Sequence, residues 1–407
     1  MRDMKTDELD WVREEDYPPA TRGKVVVWGL LASSAFGGMV WQVYHYLVAL
    51  RRLGFDVWYV EDSDRLLYDT KTYHPTEDFT ANVELLGGFM QQIGFSRRWV
   101  FGRPASNGAC LGALDRAALQ VLYQDAEVAI NLCGAQELQN VSADLKCLVY
   151  LETDPVQLQV GVASGDQSTI EMLDAYHHLF TYGENIGFPD CLVPVQRYNW
   201  QPTRPPVCLD LWTATPPGKG ASLTSVANWK HTGKDVVWKG EAWRWSKHHE
   251  FRKFIQLPRK ARLPMELAVG AISEAEKRQL EAYGWRTRPS GSLDDPRAYR
   301  HYIQGSLGEF TVAKEQYVRP RSGWFSDRSV CYLAAGRPVI TQDTTFSKFV
   351  PTGQGLFAYT SEDEALTAIE AIAKDYEQHS AMAAEIAREY FDAQRVVGDM
   401  LRRVGLL

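Results

Sequence analysis

The segment from Arg321 to Asp343 has the sequence RSGWFSDRSVCYLAAGRPVITQD. Its apolar spacing predicts a helix from about Ser326 to Ala335, ended by Gly336, and then a buried strand over Pro338–Thr341. A glycine-containing loop, a helix and an apolar strand in this order are typical of the units that build open α/β sheets. The stretch therefore predicts an α/β protein.

The beginning of this predicted helix is also a candidate binding site. Backbone N–H groups without helical partners and the positive end of the helix dipole both suit a phosphate. Arginine and serine side chains add guanidinium and hydroxyl donors around the same point. We expect ligand contacts from Arg321, Ser322, Gly323, Trp324, Ser326, Asp327, Arg328 and Ser329. The alternative is an ordinary helix–turn–strand unit that binds nothing.

A second unit of the same kind lies near the amino end. Lys24–Leu31 is an apolar, β-branched run that predicts a buried strand, Met39–Leu53 has apolar residues at helical spacing, and Asp56–Val60 predicts the next strand. Gly37 and Gly38 open this helix, either as a ligand-binding turn or as a simple connection. The Gly-x-Gly-x-x-Gly motif is absent, so the unit does not predict a dinucleotide site.

Length and composition indicate a globular protein of two domains. The chain has 407 residues, of which 45% are hydrophobic and 23% charged. Its net charge of −7 argues against nucleic acid as the main partner. No apolar run approaches the roughly 18–20 residues of a membrane span, and the acidic first 22 residues resemble no signal or transit peptide. Six cysteines without Cys-x-x-Cys spacing and nine scattered histidines predict a reduced, cytoplasmic protein without a metal site.

The domain boundary is predicted from proline and glycine. These residues concentrate in Tyr198–Ala221, where helix and sheet are both disfavoured, after a last predicted strand at Leu192–Val195. Ser380–Val404 predicts one long amphipathic helix at the carboxyl end. The predicted parts are an N-terminal tail (1–22), a first Rossmann-like domain (23–212), a second Rossmann-like domain (213–380) and the C-terminal helix (381–407).

The two units together resemble the glycosyltransferases of the GT-B architecture, those of families 1 and 4 in particular. The turn Ala-Ala-Gly-x-Pro-Val-Ile before Gln342-Asp343 and the Gly37-Gly38 pair carry the resemblance, which extends from Lys24 to Leu407. It implies an acceptor domain, a donor domain, a cleft between them and a C-terminal helix that crosses back onto the first domain. It also implies a metal-independent enzyme without a cofactor. Its donor would be a UDP- or TDP-sugar and its acceptor a small molecule or peptide, as in natural-product or glycoconjugate biosynthesis.

The resemblance assigns further donor contacts. In related enzymes paired glycines approach the donor, which implies this role for Gly37 and Gly38, and the carboxyl ends of strands hold the remaining contacts. These are Asn228, Lys230, Glu309, Lys314 and Asp343. The sequence does not indicate which sugar, which acceptor or which oligomeric state the protein has.

The catalytic base is predicted at Asp154. An inverting transfer needs a proton acceptor near the acceptor hydroxyl, and Asp154 follows the predicted strand Leu145–Leu151 at the edge where ligands bind. A purely turn-forming role before Pro155 is the alternative. Glu184 and Glu61 are the next carboxylates to consider.

Stereochemistry is open, and inversion is favoured. Retaining enzymes of the Gly-Gly type carry a pair of glutamates around the helix, whereas Cys331 occupies the second of those positions here. Gly323, Trp324 and Ser326 match the motif of inverting plant-type enzymes, in which a histidine stands at the position of Arg321.

Two other functions stay open at this point. A sugar-nucleotide epimerase shares the architecture, and the missing glutamate pair also fits a catalytically silent protein that binds nucleotide sugars. Six tryptophans between Trp200 and Trp245 suggest either a sugar-stacking surface or packing, of which we favour packing.

Overall fold

The structure is a computed structural model that describes residues 11–34, 36–69, 74–105, 108–138, 141 and 145–407. Part of the predicted N-terminal tail lies outside these residues. The chain forms two compact units. The first comprises Met1–Leu151, Ala175–His178 and Val397–Leu407, and the second comprises Glu152–Asp174 and Leu179–Val396. The domain limits at 22, 212 and 380 stay predictions.

The first unit is built on a mainly parallel sheet. Strands β8, β7, β1, β2 and β5 are parallel neighbours in this order, and β6 is antiparallel to β5. The strands are β1 (Lys24–Trp28), β2 (Asp56–Asp62), β3 (Leu67–Tyr68), β4 (Pro75–Thr76), β5 (Trp99–Arg103), β6 (Ala109–Gly112), β7 (Ala126–Leu132) and β8 (Leu148–Glu152). The helices are α1 (Gly37–Arg52), α2 (Thr80–Gln92) and α3 (Arg116–Asp125).

The centre of this sheet explains the apolar run at the amino end of the chain. Val25, Val26, Val27 and Trp28 are completely buried in β1, which lies between β2 and β7. A parallel strand that is covered on both faces needs an uninterrupted apolar run, because neither face meets water. The predicted strand–loop–helix–strand unit is confirmed.

The second unit contains a six-stranded parallel sheet and most of the helices. Its strands are β9 (His178–Thr181), β10 (Trp200–Pro202), β11 (Leu223–Asn228), β12 (Val236–Trp238), β13 (Glu241–Trp243), β14 (Met265–Gly270), β15 (Arg286–Pro289), β16 (Gly308–Thr311), β17 (Val339–Gln342) and β18 (Leu356–Tyr359). Its helices are α4 (Gln157–Ala163), α5 (Gln167–Asp174), α6 (His248–Phe251), α7 (Leu257–Lys260), α8 (Glu274–Ala282), α9 (Pro296–Gly305), α10 (Glu315–Val318), α11 (Asp327–Ala334), α12 (Glu362–Lys374) and α13 (Tyr376–Tyr390). The last helix, α14 (Ala393–Arg403), begins in the second unit and belongs to the first from Val397 on.

The strand order of this sheet, β15-β14-β11-β16-β17-β18, is that of a doubly wound Rossmann fold. The chain leaves β11 in one direction for β14 and β15 and in the other for β16, β17 and β18. Ligands of such sheets bind beyond the carboxyl ends of the strands, at the point where the order reverses. Here that point lies between β11 and β16. Because β1 and β17 belong to different sheets, the prediction of two Rossmann-like units is confirmed.

A buried arginine fills the gap at the switch point. Strands β11 and β16 pair only at Leu223–Gly308 and Thr224–Glu309, so their carboxyl ends are not hydrogen-bonded to each other. Arg328, in the first turn of α11, connects them. Its guanidinium donates from Nε to Glu309 at 2.5 Å and from Nη1 to the carbonyl oxygen of Val226 at 2.9 Å.

The same arginine is bonded on its third nitrogen. Nη2 of Arg328 donates to Oγ1 of Thr311 at 2.9 Å. Arg328 is 11% exposed and Glu309 is completely buried, so this ion pair is part of the core. It sets where α11 begins relative to β11 and β16.

Two predicted elements are wrong. No strand forms at Leu192–Val195, where both end residues are exposed and the N–H of Leu192 donates to the carbonyl oxygen of Pro320 at 2.8 Å. The predicted single helix at the carboxyl end is two helices, α13 and α14. Between them Phe391 is fully buried, and its carbonyl oxygen accepts the N–H of Val207 at 2.8 Å.

The tryptophans serve packing, as favoured from the sequence. Trp238 is the exception among the six, because its side chain is partly exposed. Buried are Trp200, Trp212, Trp229, Trp243 and Trp245. None of the helices in the described part of the chain combines the length and the apolar character of a membrane span.

Replacing Arg328 by alanine is expected to destabilise the fold by about 3–5 kcal/mol, because it leaves the buried carboxylate of Glu309 without a charge partner. Adding Glu309→Gln to Arg328→Ala removes that charge and should recover part of the loss. Urea unfolding measures both effects. The control is Arg262→Ala, which removes an exposed arginine 3.9 Å from Glu370 and should change stability little. Equal losses for Arg328→Ala and Arg262→Ala would contradict the structural role of the buried pair.

Candidate functional site

The candidate site lies in the second unit, at the carboxyl edge of its sheet. Three basic side chains meet there, and we call them the basic cluster: Lys247 before α6, Lys314 after β16 and Arg328 in α11. Their proximity shows in the pKa of Lys247, which burial lowers well below its usual range and which the charges of Arg328 and Lys314 lower further. The charges of Glu309 and Asp327 raise the pKa of Lys247.

Lys247 is the least compensated member of this cluster. Within the part of the chain that the structure describes, its ammonium group forms no hydrogen bond and no ion pair. Lys314 and Arg328, by contrast, each have a carboxylate partner. An ammonium group that is partly removed from water and lacks a counter-charge is stabilised by a bound anion.

Lys314 is held by a carboxylate and two aromatic rings. Its Nζ donates to Oδ1 of Asp154 at 2.8 Å and to the hydroxyl oxygen of Tyr317 at 2.9 Å. It also lies 3.1 Å from the ring centroid of Trp245, a cation–π contact. The hydroxyl of Tyr317 in turn donates to Oδ1 of Asp154. The lysine therefore has one defined position at the edge of the site.

The pKa shifts follow from this arrangement. Burial tends to raise the pKa of Asp154, but the charge and hydrogen bond of Lys314 and the hydrogen bond of Tyr317 outweigh it, so the pKa is lowered. Burial lowers the pKa of Lys314 more than the Asp154 charge raises it. Asp154 is therefore ionised at neutral pH, and its side chain is 46% exposed, so a ligand can reach it.

The turn that carries Asp154 is strained and held at several points. Val156 is fully buried and has φ of 93°, which is rare for a β-branched residue and which only the surrounding structure can maintain. Its N–H donates to Oε1 of Gln159 at 2.7 Å. The carbonyl oxygen of Thr153 accepts the indole N–H of Trp324 at 2.9 Å. The turn is thus tied to the segment before α11.

Glu152, two residues before Asp154, is a buried carboxyl group. Its Oε2 accepts hydrogen bonds from Gln159 and from Thr181, both at 2.7 Å. Burial raises its pKa to about 8, although these two hydrogen bonds lower it. At neutral pH the group is mainly protonated, so it adds little negative charge beside Asp154.

The start of α11 differs from an ordinary anion site. Asp327 is the first residue of the helix, and its Oδ1 accepts the N–H of Arg328 at 2.9 Å. Burial raises the pKa of Asp327, against the lowering effect of Arg328. Ser326 precedes the helix without capping it by its side chain. A bound anion would therefore depend on the basic cluster more than on the helix end.

Several predicted contacts have partners inside the protein. Glu309 has no exposed surface, and its two oxygens accept from Arg328 and from Ser329, the latter at 2.5 Å. In this structure Glu309 cannot contact a sugar hydroxyl, which corrects its predicted role. Ser329 is also fully buried.

The structure explains why a glycine is needed at position 323. Its φ is 75°, and a Cβ there would lie 2.4 Å from the backbone nitrogen of Asn185. The two segments approach each other because the N–H of Asn185 donates to the carbonyl oxygen of Ser322 at 3.0 Å and its side-chain amide to that of Arg321 at 2.8 Å. Ser322 and Trp324 are buried in the same contact.

Two further predicted residues bond to groups of their own surroundings, and a third is exposed. Lys230 forms an ion pair of 3.1 Å with Glu276. Asp343 accepts the N–H of Thr345 at 2.8 Å, so it caps a turn. Asn228 is the last residue of β11 and is exposed at the carboxyl edge.

Gly37 and Gly38 belong to the first unit, as the first two residues of α1. The loop before them is held by Glu61, whose carboxylate accepts the N–H of Ala32 at 2.7 Å and that of Ser33 at 3.3 Å. Burial raises the pKa of Glu61 to about 7 despite these bonds. Because Glu61 is buried and bonded, its role here is to shape the loop.

The sequence alone missed Lys247, Tyr317 and Trp245. A lone lysine before a short helix gives no pattern, and the two aromatic residues look like ordinary core residues. Among the described residues no group of three or more His, Cys, Asp or Glu side chains is placed to hold a metal ion. Metal independence stays a prediction.

No protein-family model and no curated protein matches the chain. Solved structures are similar over nearly its whole length. An alpha-glucosyltransferase in complex with UDP and a 13-mer DNA has a TM-score of 0.57 at 10% identity, over 94% of this chain and 99% of that one. Anabaena Alr3699/HepE in complex with UDP-glucose has a TM-score of 0.53 at 12% identity, over 95% and 100%.

A third similar structure is AviGT4, a glycosyltransferase involved in avilamycin A biosynthesis. Its TM-score is 0.53 at 9% identity, over 94% of this chain and 96% of that one. Identities this low show the fold and leave the activity open. The chain has the GT-B fold of glycosyltransferases, with two Rossmann-like domains.

Proposed function

We propose that the protein is a glycosyltransferase that moves a sugar from a nucleoside diphosphate sugar to a small-molecule or peptide acceptor. The observation that supports this most is Lys247, a partly buried lysine at the switch point of a doubly wound sheet that has no carboxylate within ion-pair distance among the described residues. Similar folds were solved with UDP or UDP-glucose bound. One of them holds DNA, but the net charge of −7 disfavours a nucleic acid acceptor here.

In the proposed reaction, the basic cluster stabilises the leaving diphosphate. The acceptor oxygen forms a bond to the anomeric carbon, and the bond from that carbon to the diphosphate breaks, with the electron pair leaving on the diphosphate. Lys247 and Lys314 would stabilise this growing negative charge. Arg328, which is bonded to Glu309, would hold the start of α11 beside them. Tight placement of Lys314 by Tyr317 and Trp245 means that it need not reorganise during the reaction.

Asp154 stays the proposed base that takes the acceptor proton. It is ionised, partly exposed and at the end of β8, as the role requires. Its bond with Lys314 lowers its basicity and gives it a second possible role, the positioning of that lysine. Inversion also stays a proposal, supported by Cys331 at the position of a glutamate in retaining enzymes. The anomeric configuration of the product, measured by NMR, tests it.

Purified protein incubated with a panel of nucleotide sugars tests the function as a whole. Nucleotide release that depends on an added acceptor supports a transferase. A sugar-nucleotide epimerase would convert the donor without any acceptor. Binding without turnover on the complete panel would indicate a catalytically silent protein and overturn the proposal.

Lys247→Ala should weaken the binding of UDP roughly ten- to hundredfold, since a hydrogen bond to a charged group contributes about 1.5–3 kcal/mol. Stability should be unchanged or slightly higher, because the variant removes a poorly solvated charge. Calorimetric titration and urea unfolding measure the two effects. Lys260→Ala is the control, since it removes an exposed lysine that pairs with Glu362. Equal UDP affinity in the wild type and Lys247→Ala would exclude Lys247 from the donor site.

UDP affinity should also fall with rising pH in the alkaline range, before ordinary lysines lose their protons. Lys247 has a pKa lowered well below the ordinary lysine value of about 10.4, so it loses its proton earlier than other lysines, and only the protonated form attracts the diphosphate. The nucleotide itself is already fully ionised there, because its terminal phosphate titrates near pH 6. Titrations between pH 7.5 and pH 9.5 should show this slope in the wild type and a flatter profile in Lys247→Ala. Parallel profiles would mean that another group titrates.

Asp154→Asn distinguishes the two roles of this carboxylate. As the base, its loss should lower the transfer rate by about 10²–10⁴-fold with UDP affinity unchanged. As the partner that positions Lys314, its loss should weaken UDP binding as well. Tyr317→Phe, which removes a hydrogen bond to both residues, is the companion variant for the second role. Near-normal turnover in a folded Asp154→Asn protein would leave Asp154 as a turn residue.

A further inference from the structure

A cavity lies at the edge of the same sheet opposite to the candidate site. It has a volume of about 450 Å³ and belongs entirely to the second unit. Its lining includes Ser222 just before β11, Glu266 near the start of β14, and Arg286 and Arg288 in β15. We call it the amino-edge pocket. The pocket shares no residue with the basic cluster, although Thr224 in its lining pairs with Glu309, the partner of Arg328.

One face of α9 forms a wall of the amino-edge pocket. Ala298, His301, Tyr302 and Gly305 line it at the helical spacing that places side chains on one face. The carbonyl groups of Ile303 and Gly305 at the end of α9 are hydrogen-bonded, so they are not free to repel an anion in the pocket. The carbonyl oxygen of Gly305 accepts the N–H of Gly218 at 3.1 Å, and that of Ile303 accepts the N–H of Ser306.

The charges in the pocket are only partly balanced. Glu266 is the carboxylate in its lining, and it is already engaged by Arg288 at 2.7 Å and by the hydroxyl of Tyr302 at 3.0 Å. Arg286 bonds only to neutral acceptors, Oγ of Ser222 at 3.1 Å and a backbone carbonyl oxygen. Within the described residues, neither Arg286 nor Lys219 has a carboxylate within ion-pair distance. The pocket therefore carries a net positive charge.

The remaining lining carries hydroxyl groups. The hydroxyls of Thr224 and Ser306 are almost completely buried and already bond to each other at 2.7 Å, to Tyr332 and to the carbonyl oxygen of Tyr302. Ser222 and the exposed Ser292 add further hydroxyls. Such groups donate to and accept from the hydroxyls of a polar ligand. The volume lies within the range of about 300–1,000 Å³ that is usual for small-molecule sites, and is larger than one phosphate needs.

We propose that the amino-edge pocket binds a phosphorylated sugar, with its phosphate at Arg286 and Lys219 and its hydroxyls toward Glu266 and the serine and threonine side chains. Size, positive charge and hydroxyl lining together favour this class over inorganic phosphate or a neutral sugar. The proposal does not rest on the proposed transferase activity, because the pocket shares no residue with the candidate site.

Calorimetric titration with glucose 6-phosphate, inorganic phosphate and glucose tests the proposal. The protein is first saturated with UDP, so that the candidate donor site is filled. If UDP does not bind, the same titration of the Lys247→Ala variant shows whether glucose 6-phosphate binds at a separate site. Glucose 6-phosphate should bind more tightly than either of the other two probes. Absence of binding at millimolar glucose 6-phosphate, or tighter binding of inorganic phosphate or glucose, would overturn the proposal.

Variants then locate the binding. Arg286→Ala should weaken glucose 6-phosphate binding at least tenfold, and Arg286→Lys, which keeps the charge, should retain more of it. Arg262→Ala, an exposed arginine of the same unit outside the pocket, should have no effect. Circular dichroism checks that each variant is folded, and Lys219→Ala in an exposed loop gives a second, structurally mild variant. Unchanged affinity in both Arg286→Ala and Lys219→Ala, or loss of binding in Lys247→Ala, would place the ligand elsewhere and refute the assignment.

Discussion

The ion pair between Arg328 and Glu309 is the interaction on which the candidate site depends. Two charges in a protein interior cost several kcal/mol of desolvation each, and this cost is offset only when geometry and hydrogen bonds are complete. Here Glu309 is bonded by Arg328 and Ser329, and Arg328 also reaches the carbonyl oxygen of Val226. The pair thereby joins β11, β16 and α11 where the two strands stop pairing. Its charges also act on the nearby Lys247.

Around this pair, the site combines groups whose charges are balanced with one that is not. Lys314 is neutralised and oriented by Asp154, and Arg328 by Glu309. Lys247 has no such partner among the described residues, and burial makes its positive charge unfavourable. Under the proposed function, the diphosphate of the donor supplies the negative charge that Lys247 lacks within ion-pair distance.

The parallel sheet separates two kinds of site by its geometry. All strands of a parallel sheet end at one edge, so side chains that follow β11, β16 and β17 collect there. The opposite edge collects the residues that precede or begin the strands, such as Ser222 and Arg286. The second edge is usually regarded as structural in such folds, yet here it holds a positively charged cavity beside α9. Under the two proposals, one sheet would bind the substrates of the reaction at one edge and a second ligand at the other.

Local patterns in the sequence determined the two α/β units, because buried parallel strands such as Lys24–Trp28 must be apolar throughout and helices such as α11 must end where Gly336 allows. They also located the segment from Arg321 to Asp343 at the edge of the candidate site. Which of its side chains point inward depends on the packing of the whole unit. Arg328 bonds to Glu309, and the backbone at Gly323 packs closely against Asn185. Lys247 lies near Lys314, which is about seventy residues away in the chain. Contacts between residues so distant in sequence depend on how strands and helices pack, and no local spacing encodes that packing.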